Sequence, residues 1–163
     1  MLDISRIDLY DYLYNITYDV VSKNVYRMYA PQELTKSDTE DGFLVLRVGD
    51  IVDNGEFHGK AYGMARCYIT AYVPPKTRGR LDVAKYKAFE DGINNVIRNA
   101  SQSSNPAYGV DEESVLSMDA AETSNANNFY LTFIKSFVVY LFNVYKQDKD
   151  FSNDFNEDFG RLQ

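Results

Sequence analysis

The fold is decided by two apolar stretches, Phe43-Leu-Val-Leu-Arg-Val48 and Ala61-Tyr-Gly-Met-Ala-Arg-Cys-Tyr-Ile-Thr-Ala-Tyr-Val73. Both are rich in β-branched and aromatic residues, which favour strands. The polar segment between them, residues 53–59, contains an Asn-Gly pair and a further glycine, as turns between antiparallel strands do. We therefore predict a central antiparallel hairpin over residues 42–74, ended by two prolines that cannot donate to a sheet ladder.

Alternation along the second stretch divides its side chains between two faces of the predicted sheet. One face is small and apolar, and it comprises Gly63, Ala65, Cys67, Ile69, Ala71 and Val73. This composition predicts that a helix packs on it. The other face carries tyrosines and an arginine, and it comprises Tyr62, Met64, Arg66, Tyr68, Thr70 and Tyr72. Such a face can meet water or another subunit.

Two amphipathic helices are predicted, one before this hairpin in the sequence and one after it. Apolar residues recur at steps of three and four over residues 5–25, with Ser5 as the N-cap and Asp8 in the first turn. A second helix is predicted over residues 82–98, with Asp82 as its N-cap. Gly92 inside it costs about 1 kcal/mol relative to alanine, unless the helix packs closely there.

The remaining segments are predicted as loops, a short strand and one long apolar run. Residues 26–41 and 99–113 are predicted loops, residues 114–118 a short strand, and residues 120–128 a turn region. Three interpretations compete for residues 129–145.

A membrane helix is disfavoured, because the run is shorter than about 20 residues and contains Lys135. A buried helix stays open. Composition favours a strand, which at about 3.3 Å per residue would exceed roughly 50 Å and must bend or project toward a neighbour.

These elements predict one α+β domain over residues 1–145. Its antiparallel or mixed sheet has about four strands flanked by two helices, in the order α-β-β-α-β-β. Residues 146–163 form an acidic C-terminal arm in which Phe151, Phe155 and Phe159 recur at four-residue spacing. In a helix these phenylalanines form one stripe that can fold against a partner's groove, and a disordered tail is the alternative.

Composition restricts the function classes. The formal charge of −7 and the pI near 4.7 argue against a phosphate-binding surface, which needs clustered Lys and Arg. The single cysteine excludes an internal disulfide, and the N-terminus lacks the pattern of a signal peptide, so we expect a protein made and used in a cytoplasm. The 14 tyrosines and 10 phenylalanines suit either subunit contacts or an aromatic core.

No catalytic or cofactor motif is recognisable. The only histidine, His58, lies in the predicted turn without a nucleophile and carboxylate arranged around it. Asp50, Asp53 and Glu56 near it are expected to be solvated rather than to bind a metal. Walker, dinucleotide-binding, paired-cysteine and zinc-protease motifs are missing from the sequence. We therefore expect a protein that is not an enzyme and has no cofactor.

The order and spacing of the elements resemble those of the phage tail terminator and tail-completion family. The resemblance rests on the N-terminal amphipathic helix, the strand 42–48, the strand 65–73 ending in proline, the capped helix 82–98 and a closing strand 129–142. It covers residues 4–145. The long closing run and the phenylalanine arm depart from the family pattern.

The resemblance implies a structural protein of the virion, made in the host bacterial cytoplasm. It implies a homo-oligomeric ring, six- or twelve-fold, in a tail or head-to-tail connector, with portal, connector or tail proteins as neighbours and no membrane. DNA would pass through the lumen without specific binding, which acidic walls favour.

Ring contacts are heterologous, so each subunit presents two different patches. The contact residues are expected to be aromatic, and they are Tyr62, Tyr68, Tyr72, Phe137, Tyr140, Phe142, Phe151, Phe155 and Phe159. The tyrosine face of the central hairpin would form one patch. The end of the long run and the arm would form the other. The alternative is a small cytoplasmic α+β adaptor or ligand-binding protein with no viral role.

Overall fold

The computed structural model describes residues 2–18, 21, 23–77, 80–125 and 128–143. Within them the chain forms three helices and six strands of an α+β protein with a mixed sheet. They are α1 (Arg6–Tyr18), β1 (Asn24–Arg27), α2 (Lys36–Asp41), β2 (Phe43–Val48), β3 (Val52–Phe57), β4 (Lys60–Val73), α3 (Val83–Ser101), β5 (Tyr108–Asn125) and β6 (Asn128–Phe142). The predicted α+β class is confirmed, while the prediction of about four strands and two helices was too low.

The sheet has the strand order β1-β2-β4-β6-β5. Strand β3 pairs with the part of β4 that β2 does not reach. Only β1 and β2 run parallel; the other pairings are antiparallel. Strands β4 and β6 form the centre, paired from Tyr62 opposite Phe142 to Val73 opposite Leu131. Strands β2, β3 and β5 each pair directly with one of these two, and β1 pairs with β2.

The central pairing is confirmed, but its connection is not a simple turn. Strands β2 and β4 pair from Phe43 opposite Tyr72 to Val48 opposite Cys67. Because β4 has 14 residues and β2 only six, part of β4 is left for β3 to pair with. The tight turn lies at His58 and Gly59, whose φ angles of 51° and 75° are those of a hairpin turn.

The predicted loop over residues 26–41 was wrong, since it contains the end of β1 and all of α2. Helix α1 is also shorter than predicted, because residues 24–27 pair with β2 as a parallel strand. Its predicted start is confirmed by two reciprocal bonds: the Asp8 N–H donates to Ser5 Oγ, and the Ser5 N–H donates to Asp8 Oδ2. A four-residue strand is too short to leave a periodic signal in the sequence.

The long apolar run is strand β6, so the helical interpretations were wrong. The predicted short strand over residues 114–118 is part of the 18-residue β5, and the predicted loop over residues 99–113 and turn over residues 120–128 are largely helix α3 or strand. Ladder bonds are made by the backbone, so polar residues such as Thr123, opposite Tyr130, can continue a strand. Residues 128–130 of β6 pair with β5 but not with β4, so this end of the β5–β6 pair projects past the end of β4.

Helices α1 and α3 pack on one face of the sheet and enclose the main core. Leu9 and Leu13 of α1 and Phe89 and Ile93 of α3 are fully buried there. The predicted cap of α3 is confirmed, because Asp82 Oδ1 accepts from the Lys85 N–H at 3.1 Å. Gly92 is also explained: a Cβ added there would lie 3.3 Å from Val21, which is close packing.

Candidate assembly surface

The pairing register assigns each strand residue to one of two faces. The small apolar residues of β4 lie under α1 and α3, as predicted, and Ala65, Cys67 and Ile69 are at most 2% exposed. The opposite side of the sheet, which we call the open face, carries the other residues of β4 and the residues of β2, β5 and β6 that pair with them. The two faces therefore differ in what packs on them.

Most predicted contact residues lie on the open face. Tyr62, Tyr68, Tyr72, Tyr140 and Phe142 are all there and all partly exposed. The prediction that Phe137 is a subunit contact was wrong. It lies opposite Cys67, is fully buried and belongs to the core under the helices, so it cannot contact another subunit. Phe151, Phe155 and Phe159 lie outside the described residues.

One end of the open face is covered by α2 and the segment before it. Phe43, Val45 and Tyr130 are buried there, at most 2% exposed, and Leu34 packs on them. The ring of Tyr72 stacks on that of Phe43 with centroids 4.5 Å apart. Tyr72 therefore contributes mainly to this small second core.

A buried carboxylate, Asp38, anchors α2 to the sheet. Its oxygens accept from Asn24 Nδ2 at 2.7 Å, from the Tyr26 hydroxyl at 2.6 Å and from the Thr35 N–H at 3.0 Å. Burial acts to raise the pKa of Asp38, but the bonds from Tyr26, Asn24 and Thr35 outweigh it and lower the pKa. Burial, and next the bond to Asp38, raise the pKa of Tyr26 to about 12.

The other end of α2 is held by cations. Lys23 Nζ donates to the carbonyl oxygen of Asp41 at 3.2 Å, and Lys85 Nζ donates to that of Glu40. Positive charge is favourable at a helix C-terminus, where carbonyl groups lack partners within the helix. Gly42 then turns the chain into β2 with φ of 80°, and an added Cβ would lie 2.3 Å from the Tyr72 carbonyl oxygen. This corner therefore requires glycine.

The rest of the open face is uncovered by described residues and mostly apolar, with Arg47, Arg66, Asp111 and Ser136 among its polar residues. We call it the open patch, and it consists of Tyr62, Met64, Tyr68, Leu116, Met118, Ile134, Val138, Tyr140 and Phe142. Leu116 and Met118, on the edge strand β5, are 56% and 46% exposed. The rings of Tyr62 and Phe142 stack at 6.1 Å at the end where β6 finishes. Apolar side chains gathered in this way on one surface are typical of a binding site.

Two arginines give the open patch a positive centre. Arg47 lies opposite Tyr68, and Arg66 precedes Tyr68 by two positions on the same strand. Arg66 Nη1 donates to Ser136 Oγ at 3.0 Å. In the part of the chain that the structure describes, no carboxylate lies within 4 Å of either guanidinium. Asp111 lies in the same cross-strand row as Arg66, with Val138 between them, and it forms an ion pair with neither arginine.

The lysine in the middle of β6 points the other way. Lys135 lies on the face under α3, is 7% exposed and donates from Nζ to Ser117 Oγ at 2.6 Å. Glu90 of α3 lies 3.8 Å from the same nitrogen. The charge that interrupts the apolar run is thus paired inside the fold, and it adds nothing to the open patch.

A bulge in β5 shapes the edge of the open patch. The register shifts between Asp111 and Leu116. Ser114 bridges the gap, since its Oγ accepts from the Val138 N–H at 2.7 Å and donates to the Asp111 carbonyl at 2.6 Å. Bulges at sheet edges re-aim side chains, and this one places Leu116 on the open face opposite Ser136.

The only histidine and the only cysteine of the chain, His58 and Cys67, lie at different places along the sheet. His58 lies in the β3–β4 turn, and burial raises the pKa of the Cys67 thiol to about 12, which disfavours the thiolate form. No group of three or more His, Cys, Asp or Glu residues in the described ranges could hold a metal ion. Likewise, no helix there is long and apolar enough to cross a membrane.

Sequence reasoning missed several residues of this surface. Leu116 and Met118 are separated by Ser117 in the predicted strand over residues 114–118, a short apolar-polar alternation that the sequence interpretation did not use. Arg66 was placed on the correct face, but its proximity to Arg47 depends on the register of β2 against β4. No known protein-family model matches this chain, and no characterised protein is significantly similar to it in sequence.

Proposed function

We propose that this chain is a structural protein that assembles with copies of itself through the open patch. The observation that carries the proposal is a sheet covered by helices on one face and left apolar and aromatic on the other. Burying a large apolar side chain completely stabilises by about 1.5–3 kcal/mol. A monomer forgoes much of that stabilisation at Leu116, Met118 and their neighbours.

In its finer form the proposal is a ring component of a phage tail or head-to-tail connector. The resemblance to tail terminator and tail-completion proteins supports it, as does the net charge of −7, because walls of a DNA conduit must not hold phosphate. In the virion such a ring, six- or twelve-fold, adjoins portal, connector or tail proteins. The protein acts without catalysis or cofactor.

A closed ring needs two different patches on each subunit, since a single self-complementary patch gives only a two-fold dimer. The open patch is one of them. It is flanked by α2 at one end and by the exit of β6 at the other. The second patch must lie elsewhere on the chain.

The test is the mass of the full-length protein across a wide concentration range, with negative-stain images of large species. We expect closed rings from the wild type and monomers from Leu116→Glu/Met118→Glu. The matched control is Ile7→Glu/Val83→Glu, which places the same charges on apolar residues 59% and 67% exposed on the helices. It should form rings as the wild type does, and circular dichroism should show both variants folded.

A wild type that stays monomeric at every concentration would overturn the proposal and favour the small adaptor alternative. Two-fold dimers that the patch variant abolishes would keep the assembly surface and overturn the ring. Rings that persist in Leu116→Glu/Met118→Glu would show that the open patch is not the contact.

A further inference from the structure

The described fold ends just after β6, at Asn143. The Asn143 N–H donates to the Ala61 carbonyl at 3.0 Å, beside the last pair of the β4–β6 ladder. The Asn143 side chain accepts from the Asp3 N–H at 2.7 Å, which ties it to the segment that leads into α1 on the helix side of the sheet.

The chain that follows is complementary to the open patch in chemistry. Residues 148–159 contain Phe151, Phe155 and Phe159 together with five carboxylates and one lysine. The open patch offers apolar side chains around Arg47 and Arg66, which have no carboxylate within ion-pair distance in the described structure. Phenylalanines at four-residue spacing suit a helix that lays one face in an apolar groove.

We infer that residues 148–159 of one copy bind the open patch of a neighbouring copy, with the phenylalanines on its apolar side chains and the carboxylates beside Arg47 and Arg66. This inference rests on the proposed function, and it supplies the second patch that a ring requires. The four residues 144–147 before the bound segment span at most about 14 Å when extended, so the neighbouring patch must lie close to the end of β6.

Binding between copies predicts a specific result when two defective full-length proteins are mixed. The face variant is Leu116→Glu/Met118→Glu, and the arm variant is Phe151→Ser/Phe155→Ser/Phe159→Ser. Each should be monomeric by itself. Their mixture can form one contact, between the arm of the first and the patch of the second, so we expect dimers with one copy of each and no rings.

A peptide measurement tests the residues directly. A fluorescent peptide of residues 146–163 is titrated into the full-length arm variant and followed by anisotropy. We expect saturable binding that added Arg47→Glu weakens at least about tenfold and that salt also weakens. The control, Lys87→Glu, makes the same change of charge on the exposed surface of α3 and should leave the affinity within about twofold.

The two proposals fail in different ways. Rings from the arm variant, alongside monomers from the face variant, would overturn the inference and leave the proposed function intact. A mixture that stays monomeric, or a peptide weakened equally by Lys87→Glu, would also overturn the inference. Single-stranded DNA that competes with the peptide for the open patch would assign the arginines to nucleic acid and overturn it as well.

Discussion

The two faces of the sheet use alternate residues of the same strands, yet they are built on opposite rules. Under the helices, β4 presents small side chains such as Ala65 and Cys67, which let α1 and α3 approach closely. One position away, Arg66 and Tyr68 are large and half-buried. Large amphipathic side chains shield a sheet that no helix covers and still offer apolar area to a partner. Residue size thus separates the face that the helices cover from the open face.

The open face itself repeats the comparison on a smaller scale. At the α2 end, Phe43 and Tyr130 are buried beneath a short helix that Asp38 anchors. Toward the edge strand β5, Leu116 and Met118 are exposed. A short capped helix therefore completes one half of the face within the subunit, and we propose that a neighbouring copy completes the other half.

The largest expected effect is a difference in free energy of unfolding between variants on the two faces of strand β6. Phe137→Ala should lower the free energy of unfolding by about 3–5 kcal/mol, because a fully buried ring is replaced by a cavity. Tyr140→Ala, three residues on and on the open face, should cost about 1 kcal/mol. Urea unfolding at a low, fixed protein concentration measures both. Equal losses would show that the open face is as much a core as the helix face.

The next effect tests the anchor of α2. Asp38→Ala leaves the Tyr26 hydroxyl, Asn24 Nδ2 and the Thr35 N–H without their acceptor, and should cost about 2–3 kcal/mol of unfolding free energy. Ser37→Ala, one position earlier and exposed, should change it by no more than about 0.5 kcal/mol. A loss for Asp38→Ala as small as this control would mean that α2 is held by its apolar contacts alone.

The same anchor predicts a pH dependence. The pKa of Asp38 is lower in the folded protein than its ordinary value of 3.8, so the folded state holds fewer protons as the pH falls through that region. Its stabilisation is present above pH 3.8 and is lost as the pH falls through the lower folded pKa. Asp38→Asn has no carboxylate to ionise, so the difference in free energy of unfolding between wild type and variant should disappear in acid. A gap independent of pH would contradict the proposed anchor.

The smallest expected effect on the free energy of unfolding comes from removing the Tyr12 hydroxyl, which lies on the helix side of the sheet. The Tyr12 hydroxyl is buried without a hydrogen-bond partner among the described residues, and burial raises its pKa to about 12. Tyr12→Phe keeps the stack on Tyr108 at 4.0 Å and should be neutral or stabilise by up to about 1 kcal/mol.

Tyr10→Phe, two positions earlier, is the comparison for that variant. It removes an acceptor from the Val48 N–H and should cost about 1–3 kcal/mol. Urea unfolding of both variants gives the difference. A cost for Tyr12→Phe as large as that for Tyr10→Phe would reveal a partner of the Tyr12 hydroxyl.

Much of the fold follows from local signals in the sequence. The caps at Ser5 and Asp82, the alternation in β4 and its pairing with β2 were all predicted. Strands β1 and β3 were missed, since a strand of four to six mixed residues forms only where a longer neighbour leaves backbone groups to pair with. The resemblance to tail terminator proteins and the role of the arm stay predictions.

By itself, the sequence determined that β4 has one small apolar face and one face of large tyrosines, because strand side chains alternate with a period of two. It could not determine which face of the uniformly apolar β6 lies inward. Tertiary structure decided that from the register against β4, which buried Phe137, paired Lys135 with α3 and left Val138 on the open face. The physical reason is that the backbone hydrogen bonds form equally well with either set of alternate side chains facing the helices, and only packing on the sheet selects one set.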